Sequence, residues 1–178
     1  MKTTFNWGDD VIDSRSIIER HEELQDEFNS LVEALNEAQS DFKSFTVEDN
    51  SSDDDLEEDV NLIEEKLHEL HEAIEEAQEA LNQFNQSFDK DELDTLTEVI
   101  SQGEDSPDWS YGETLIRDEY FQTYIEDLIN DCYELPKEMN SGYWPYRHLE
   151  FDYVSAADEA KMDYMEIEVD AHTYFLRD

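Results

Sequence analysis

Basic residues are what this chain has least of for its size: 11 Lys and Arg stand against 51 Asp and Glu, and the formal charge is −40. Holding nucleic acid or an anionic leaflet needs cationic side chains that release counterions, and here the field has the opposite sign, which argues against direct DNA, RNA or membrane-surface binding. A partner should be basic. Cys132 is alone, so no intrachain disulfide can form and nothing marks an oxidising compartment. No stretch approaches the ~18 apolar residues of a membrane span. Met1 to Asp13 carries Asp9, Asp10 and Asp13 in place of a signal-peptide apolar run. The expected location is cytoplasmic.

Glycine and proline are also scarce, and they are unevenly placed. Between Asp9 and Gln102 there is neither, whereas Gly103, Pro107, Gly112, Pro136, Gly142 and Pro145 crowd into the following stretch. Breakers of this kind separate regions of different architecture. The sequence therefore predicts two domains, 1–102 and 103–178, both acidic. What the chain does have is nine Tyr and nine Phe, a content that disordered acidic chains lack, so it should fold.

In the first region Ile17, His21, Leu24, Phe28, Leu31, Leu35, Ala38, Phe42 and Phe45 recur at alternating spacings of four and three. Leu56, Val60, Ile63, Leu67, Leu70, Ile74, Ala77, Leu81, Phe84 and Phe88 repeat the pattern. Each is a heptad seam. Asp13/Ser14, with Ser16 three residues before Glu19, and Ser51/Ser52 ahead of Asp53, Asp54 and Asp55 mark helix starts. The polar connection Thr46 to Ser52 is short, which favours antiparallel neighbours. An antiparallel coiled-coil helical hairpin follows, with a short third helix over Asp91 to Ser101 ending at Gly103.

The second region reads as α+β. Tyr120, Phe121, Tyr124, Ile125, Leu128, Ile129 and Cys132 form a wide apolar stripe, predicting a helix over Arg117 to Leu135 that Pro136 stops. Leu149 to Tyr153 alternates like a strand, a short helix follows from Ser155 to Asp163, and Met165 to Val169 with Thr173 to Leu176 predicts a β-hairpin. The expected class is thus α+β, mainly α: a coiled-coil hairpin followed by a small α+β domain that ends in a β-hairpin.

Catalytic signals are absent. The chain has no G-x-x-x-x-G-K-[ST], G-x-G-x-x-G, G-x-S-x-G or H-E-x-x-H, and His68-Glu69-Leu70-His71 is one residue too short for the last. Carboxylate pairs are so abundant that no particular pair points to acid–base chemistry. Asp53-Asp54-Asp55 lacks the alternation and glycine of a calcium loop. His68 and His71 flank seam residues on an exposed face, and His21 sits on the seam, where one polar residue fixes register. Cys132 falls on the apolar stripe and reads as a buried structural thiol. No catalytic residue, metal or cofactor is expected, and no enzyme.

The charge itself is patterned. From Asp53 to Glu79 the acids Asp53, Asp54, Asp55, Glu57, Glu58, Asp59, Glu64, Glu65, Glu69, Glu72, Glu75, Glu76 and Glu79 face a single base, Lys66. Along a helix this is one negative charge per ~3 Å, close to the ~3.4 Å phosphate spacing along one DNA strand. Glu65/Glu69, Glu72/Glu76 and Glu75/Glu79 are like-charge pairs at i,i+4, which destabilise a helix. A merely soluble coiled coil would intersperse Lys; imitation of a polyanion would not. Glu33, Glu37 and Asp41 on the facing helix extend the strip. Salt adaptation and simple solubilisation are the plainer explanations.

The segment Asp108-Trp109-Ser110-Tyr111-Gly112-Glu113-Thr114-Leu115-Ile116-Arg117, with Asn140-Ser141-Gly142-Tyr143-Trp144-Pro145 and Glu166-Ile167-Glu168-Val169, resembles the small acidic antirestriction-type proteins of bacteriophages, over roughly residues 100–177. The resemblance implies a DNA mimic that blocks a host DNA-handling defence enzyme, whether a restriction, BREX-like, CRISPR or recombination enzyme, in the host cytoplasm. A long coiled-coil hairpin is a departure from the plasmid antirestriction proteins. Rival expectations are an acidic chaperone or scaffold for a basic protein, and a virion assembly adaptor. A seam this regular can close within one chain or between two, so a homodimer is also open.

Overall fold

The computed structural model describes residues 5–48, 58–169 and 171–177. Helices dominate: α1 (Ser14–Glu48), α2 (Glu58–Asn85), α3 (Phe88–Gly103), α4 (Trp109–Gly112), α5 (Asp118–Cys132) and α6 (Tyr153–Ala160). One antiparallel sheet joins β1 (Val11–Asp13), β2 (Thr114–Arg117), β3 (Tyr164–Val169) and β4 (His172–Arg177) in the order β1-β2-β4-β3. The class is α+β, mainly α. Among the described residues no helix is long and apolar enough to cross a membrane. By contacts the chain forms two compact units, Met1–Arg20 with Thr95–Asp178, and His21–Asp94.

The first unit is organised by β4. Tyr174, Phe175 and Leu176 are consecutive and all buried; since neighbouring residues on a strand point to opposite faces, both faces of the sheet are covered. On one face Ile116 and Phe175 pack with Phe121 and Ile125 of α5 and Ala157 of α6. The Phe121 ring meets Tyr164 edge-on at 5.0 Å and lies 4.9 Å from Phe175. Lys161 closes this cluster, its Nζ 4.6 Å over the Phe175 ring and 2.5 Å from an Asp118 carboxylate oxygen. On the other face Ile12, Leu115, Ile167, Tyr174 and Leu176 are buried. The β3–β4 hairpin forms where the alternation placed it, with Val169 opposite His172.

Side-chain bonds tie the first residues of the chain to this sheet. The Tyr174 hydroxyl shares its proton between the carbonyls of Trp7 (2.6 Å) and Asp9 (3.1 Å). Arg117 donates to the Gly8 carbonyl at 2.7 Å and pairs with Asp10. Ser14 is fully buried, donates to the Trp109 carbonyl at 2.6 Å and accepts from the Glu113 amide at 2.8 Å. The Trp109 ring lies directly on Gly103, where a Cβ would sit 2.4 Å from it; only glycine permits that approach. Gln102 pairs its amide with the backbone of Glu168, donating at 3.2 Å and accepting at 3.0 Å, and so covers part of the free edge of β3.

In the second unit Phe28 of α1 meets Phe84 of α2 at 5.6 Å, and Phe42 meets His71 at 4.7 Å. Later residues of α1 therefore face earlier residues of α2. Leu24, Leu70, Phe84 and Leu93 are buried, while Phe28, Leu31, Leu35, Phe42, Ile63, Leu67, Ile74 and Leu81 are half-buried.

Several sequence expectations change. α5 starts at Asp118 because Arg117 completes β2, pairing with Tyr174. Leu149 to Tyr153 forms no strand: Asp152 accepts from the Ser155 amide at 3.0 Å and caps α6, so the chain turns into a helix at Tyr153. Cys132 is exposed, not buried. It lies on the angular face of Phe121 and Ile125, but at the last residue of α5, beyond the part that the sheet and α6 cover.

Two outcomes follow from this packing. Phe121→Ala should lower stability by about 3–5 kcal/mol, read from urea unfolding, since the ring is fully buried between α5 and β4. Burial also raises the Tyr174 phenol above its ordinary value. Because the folded-state value is the higher one, the stabilisation is complete below about pH 10 and lost as pH rises through the folded value. Tyr174→Phe should remove part of that alkaline loss and speed amide exchange at Val11–Asp13.

Candidate acidic helix face

α2 separates its residue types by angle. With 100° per residue, Glu64, Glu65, Glu69, Glu72, Glu75, Glu76 and Glu79 all fall within an arc of about 140°. Ile63, Leu67, Leu70, Ile74, Ala77 and Leu81 occupy the opposite side. All seven glutamates are exposed. From Glu64 to Glu79 the axis advances ~22 Å, so the face carries one carboxylate per ~3 Å.

Little neutralises it. Glu69 pairs with Lys66 at 2.9 Å, Glu72 lies 3.4 Å from His68, and Glu79 accepts from Gln83 at 3.2 Å. Among the described residues Glu64, Glu65, Glu75 and Glu76 have no such partner. The cost of the like-charge i,i+4 pairs is offset by the seam, since in a helix of this length packing of the apolar stripe outweighs a few tenths of a kcal/mol per pair.

On α1, Glu33, Glu37 and Asp41 are exposed and lie within an arc of about 80°, away from Leu24, Leu35 and Phe42. Glu37 and Asp41 meet Glu76 at one groove of about 390 Å³, floored by Ala34, Ala38, Ala73, Ala77 and Ala80. Glu58 and Asp59 open α2. Asp53, Asp54, Asp55 and Glu57 lie outside the described residues.

The histidines serve the helices. His71 donates from Nδ1 to the Leu67 carbonyl at 2.9 Å and sets its ring against Phe42, while His68 faces Glu72. No group of His, Cys, Asp and Glu among the described residues is arranged to hold a metal ion. A second surface was not singled out from the sequence as partner-binding: Tyr143 and Trp144 stand 75% and 76% exposed. Only their aromatic character could have pointed to it, and aromatic residues usually signal core.

No family model, curated protein or solved structure matches the chain.

Self-repulsion along α2 sets the expected salt response. Raising NaCl from 10 to 500 mM should increase the melting temperature, because the screening length of exposed charges falls from ~30 Å to ~4 Å over this range. Glu76→Lys, which turns the Glu72/Glu76 repulsion into an attractive i,i+4 pair, should raise it at low salt and have less effect at high salt. Circular dichroism melts of both proteins check this.

Proposed function

We propose that this chain is a non-enzymatic DNA mimic, an antirestriction-type inhibitor that occupies the DNA channel of a basic host DNA-handling enzyme in the cytoplasm of a phage-infected cell. The single observation that carries the reading is the α2 face: seven exposed glutamates within one arc, at a phosphate-like pitch, with Lys66 the one base among them. An ordinary solvated face would mix signs and gain helix stability by doing so.

The shape follows if α1 and α2 make an antiparallel coiled-coil hairpin closed along their seams. Glu37 and Asp41 of α1 then stand across one groove from Glu76 of α2, so both helices add carboxylates to the same side of the hairpin. Two helices 10–12 Å in diameter with axes 8–10 Å apart give a rod ~20 Å across, the scale of a duplex whose grooves are read by a helix. Two anionic rows flanking that groove would stand as the two phosphate backbones do on either side of a groove of the duplex. The partner is a restriction, BREX-like, CRISPR or recombination enzyme; nucleic acid and membrane are not partners.

A scaffold for a basic polypeptide is the second reading. It is favoured by the apolar groove of about 530 Å³ lined by Phe45, Leu62 and Ile63, where Leu62 is 66% exposed. The two readings separate by competition. Short duplex DNA should displace a mimic from its partner at modest salt, while a scaffold held by apolar contacts should stay.

Replacing Glu64, Glu65, Glu69, Glu72, Glu75, Glu76 and Glu79 together by Gln should weaken inhibition of the target enzyme by several orders of magnitude, by analogy with the ~10³–10⁵-fold salt sensitivity of proteins that contact 6–10 phosphates. Any single Glu→Gln change should cost tenfold or less. Full inhibition by the sevenfold variant, measured as DNA cleavage or modification by the captured enzyme, would end the electrostatic account.

A further inference from the structure

Three grooves lie in line between α1 and α2, on one side of the apolar seam. The first, of about 530 Å³, is lined by Phe45, Leu62, Ile63, Glu65, Lys66 and Glu69. The second, of about 390 Å³, runs from Asp41 and Ala73 to Leu31 and Ala80. The third, of about 260 Å³, begins at those same two residues and ends at Glu27 and Gln83. On α1 the lining residues Glu27, Leu31, Ala34, Ala38, Asp41 and Phe45 are spaced four and three apart, and so is the series on α2 from Leu62 through Glu69, Ala73 and Glu76 to Gln83. Each series is one stripe beside a seam. The three cavities are therefore segments of a single groove ~27 Å long.

This groove is apolar along its floor and anionic along its margins. Leu62 is 66% exposed, and Leu31 and Phe45 are only half-buried, although the seam beside them buries Leu24, Leu70 and Phe84. The opposite flank of the seam differs: Gln25, Asn29, Asn36 and Gln39 of α1 stand there around Val32. At the margins of the groove Glu27, Glu37, Asp41, Glu65, Glu69 and Glu76 outnumber the single base among the described lining residues, Lys66, which Glu69 already holds at 2.9 Å.

Length, shape and charge together select the occupant. A groove of this length between two helices matches one helix of ~18 residues, packed as the third member of a bundle. Such a helix anchors itself by apolar side chains at i, i+3, i+4 and i+7. Leu and Ile at those positions find room over Ala34, Ala38, Ala73 and Ala80 and contact with Leu31, Phe45 and Leu62. Carboxylates on both margins call for Lys and Arg on its flanks. They also disfavour a second copy of this chain, whose long helices carry the same acids.

We propose that this groove docks one amphipathic basic helix of a partner, its bulky apolar side chains against the floor and its lysines or arginines against the carboxylate margins. The inference rests on the proposed function only in taking the partner to be basic. It adds what charge alone does not supply, which is discrimination among the many proteins that bind a polyanion. The carboxylates attract any of them, and the groove retains one that offers an uncovered apolar helix face.

The test is calorimetric titration of the full chain with two 18-residue Lys-rich helical peptides of equal charge, at 150 and 500 mM NaCl. One carries Leu at the i, i+3, i+4 and i+7 positions and the other carries Ala. The Leu peptide should bind more than about tenfold more tightly. Its advantage should persist at 500 mM NaCl while the affinity of both peptides falls, because salt screens charge and not apolar contact. Leu62→Ser with Ala73→Gln, both at exposed positions, should abolish the advantage and leave binding of the Ala peptide unchanged, with circular dichroism showing the helix content retained. Asn36→Ala, on the opposite flank of the seam, should leave the advantage intact. Equal affinity of the two peptides for the wild type overturns the proposal. So does a Leu advantage that survives in the double variant, which would place the contact elsewhere, and so does a wild-type dimer that the double variant abolishes in sedimentation, which would make a second copy the occupant. These outcomes are separate from the test of DNA mimicry: equal peptide affinities reject the groove alone, and full inhibition by the sevenfold Glu→Gln variant rejects mimicry alone.

Discussion

Mutual repulsion of carboxylates is the constraint on which the rest of this molecule depends. Seven glutamates along ~22 Å of one helix face cannot be stable by propensity alone, so α2 exists because its other face is apolar. The seam residues Ile63, Leu67, Leu70, Ile74 and Phe84 hold it, with Phe28 against Phe84 and Phe42 against His71 joining it to α1. The sheet unit meets the same constraint differently. There the few cations are spent one by one on structural pairs: Arg117 with Asp10 fastens the N-terminal segment, and Lys161 with Asp118 closes the aromatic cluster.

From that constraint comes the functional reading. A helix that tolerates like charges on one face, when Lys substitutions would relieve them, retains them for a reason outside its own stability. A strip of fixed anions on a stiff support needs no ordering when it meets a cationic channel, and it releases counterions as a nucleic acid does. The face therefore costs stability in the free protein, and on the proposed function that cost is offset when a cationic channel is bound.

Much of this was legible in the sequence. Heptads located α1 and α2, although of the second series Leu56 lies outside the described residues and Phe88 stands exposed at the first position of α3, and alternation on either side of the turn at Ala171 located the β3–β4 hairpin. What was not legible is short or long-range. β1 and β2 have three and four residues, too few for a period-two signal, and they exist because Val11 pairs with Ile116, 105 positions away, and Leu115 with Leu176, 61 positions away. Cys132 shows a different limit: periodicity assigns an angle around a helix, but burial also depends on whether anything covers that part of its length. At Leu149 to Tyr153 a capping aspartate outweighed an alternating pattern. The acidic face was found from spacing alone, because charge pitch on a helix needs no tertiary information. The exposed Tyr143 and Trp144 could not be, since sequence does not say which aromatics remain outside.

The central claim is that the α2 carboxylates sit where phosphates would in a partner's channel. Carbodiimide coupling of the complex, which joins carboxylates directly to contacting lysines, followed by mass-spectrometric mapping, tests it without altering any residue. Cross-links from Glu64, Glu65, Glu69, Glu72, Glu75, Glu76 and Glu79 to lysines that line the DNA channel are the result expected. Cross-links confined to other acids of this chain, or to partner lysines away from that channel, would contradict it.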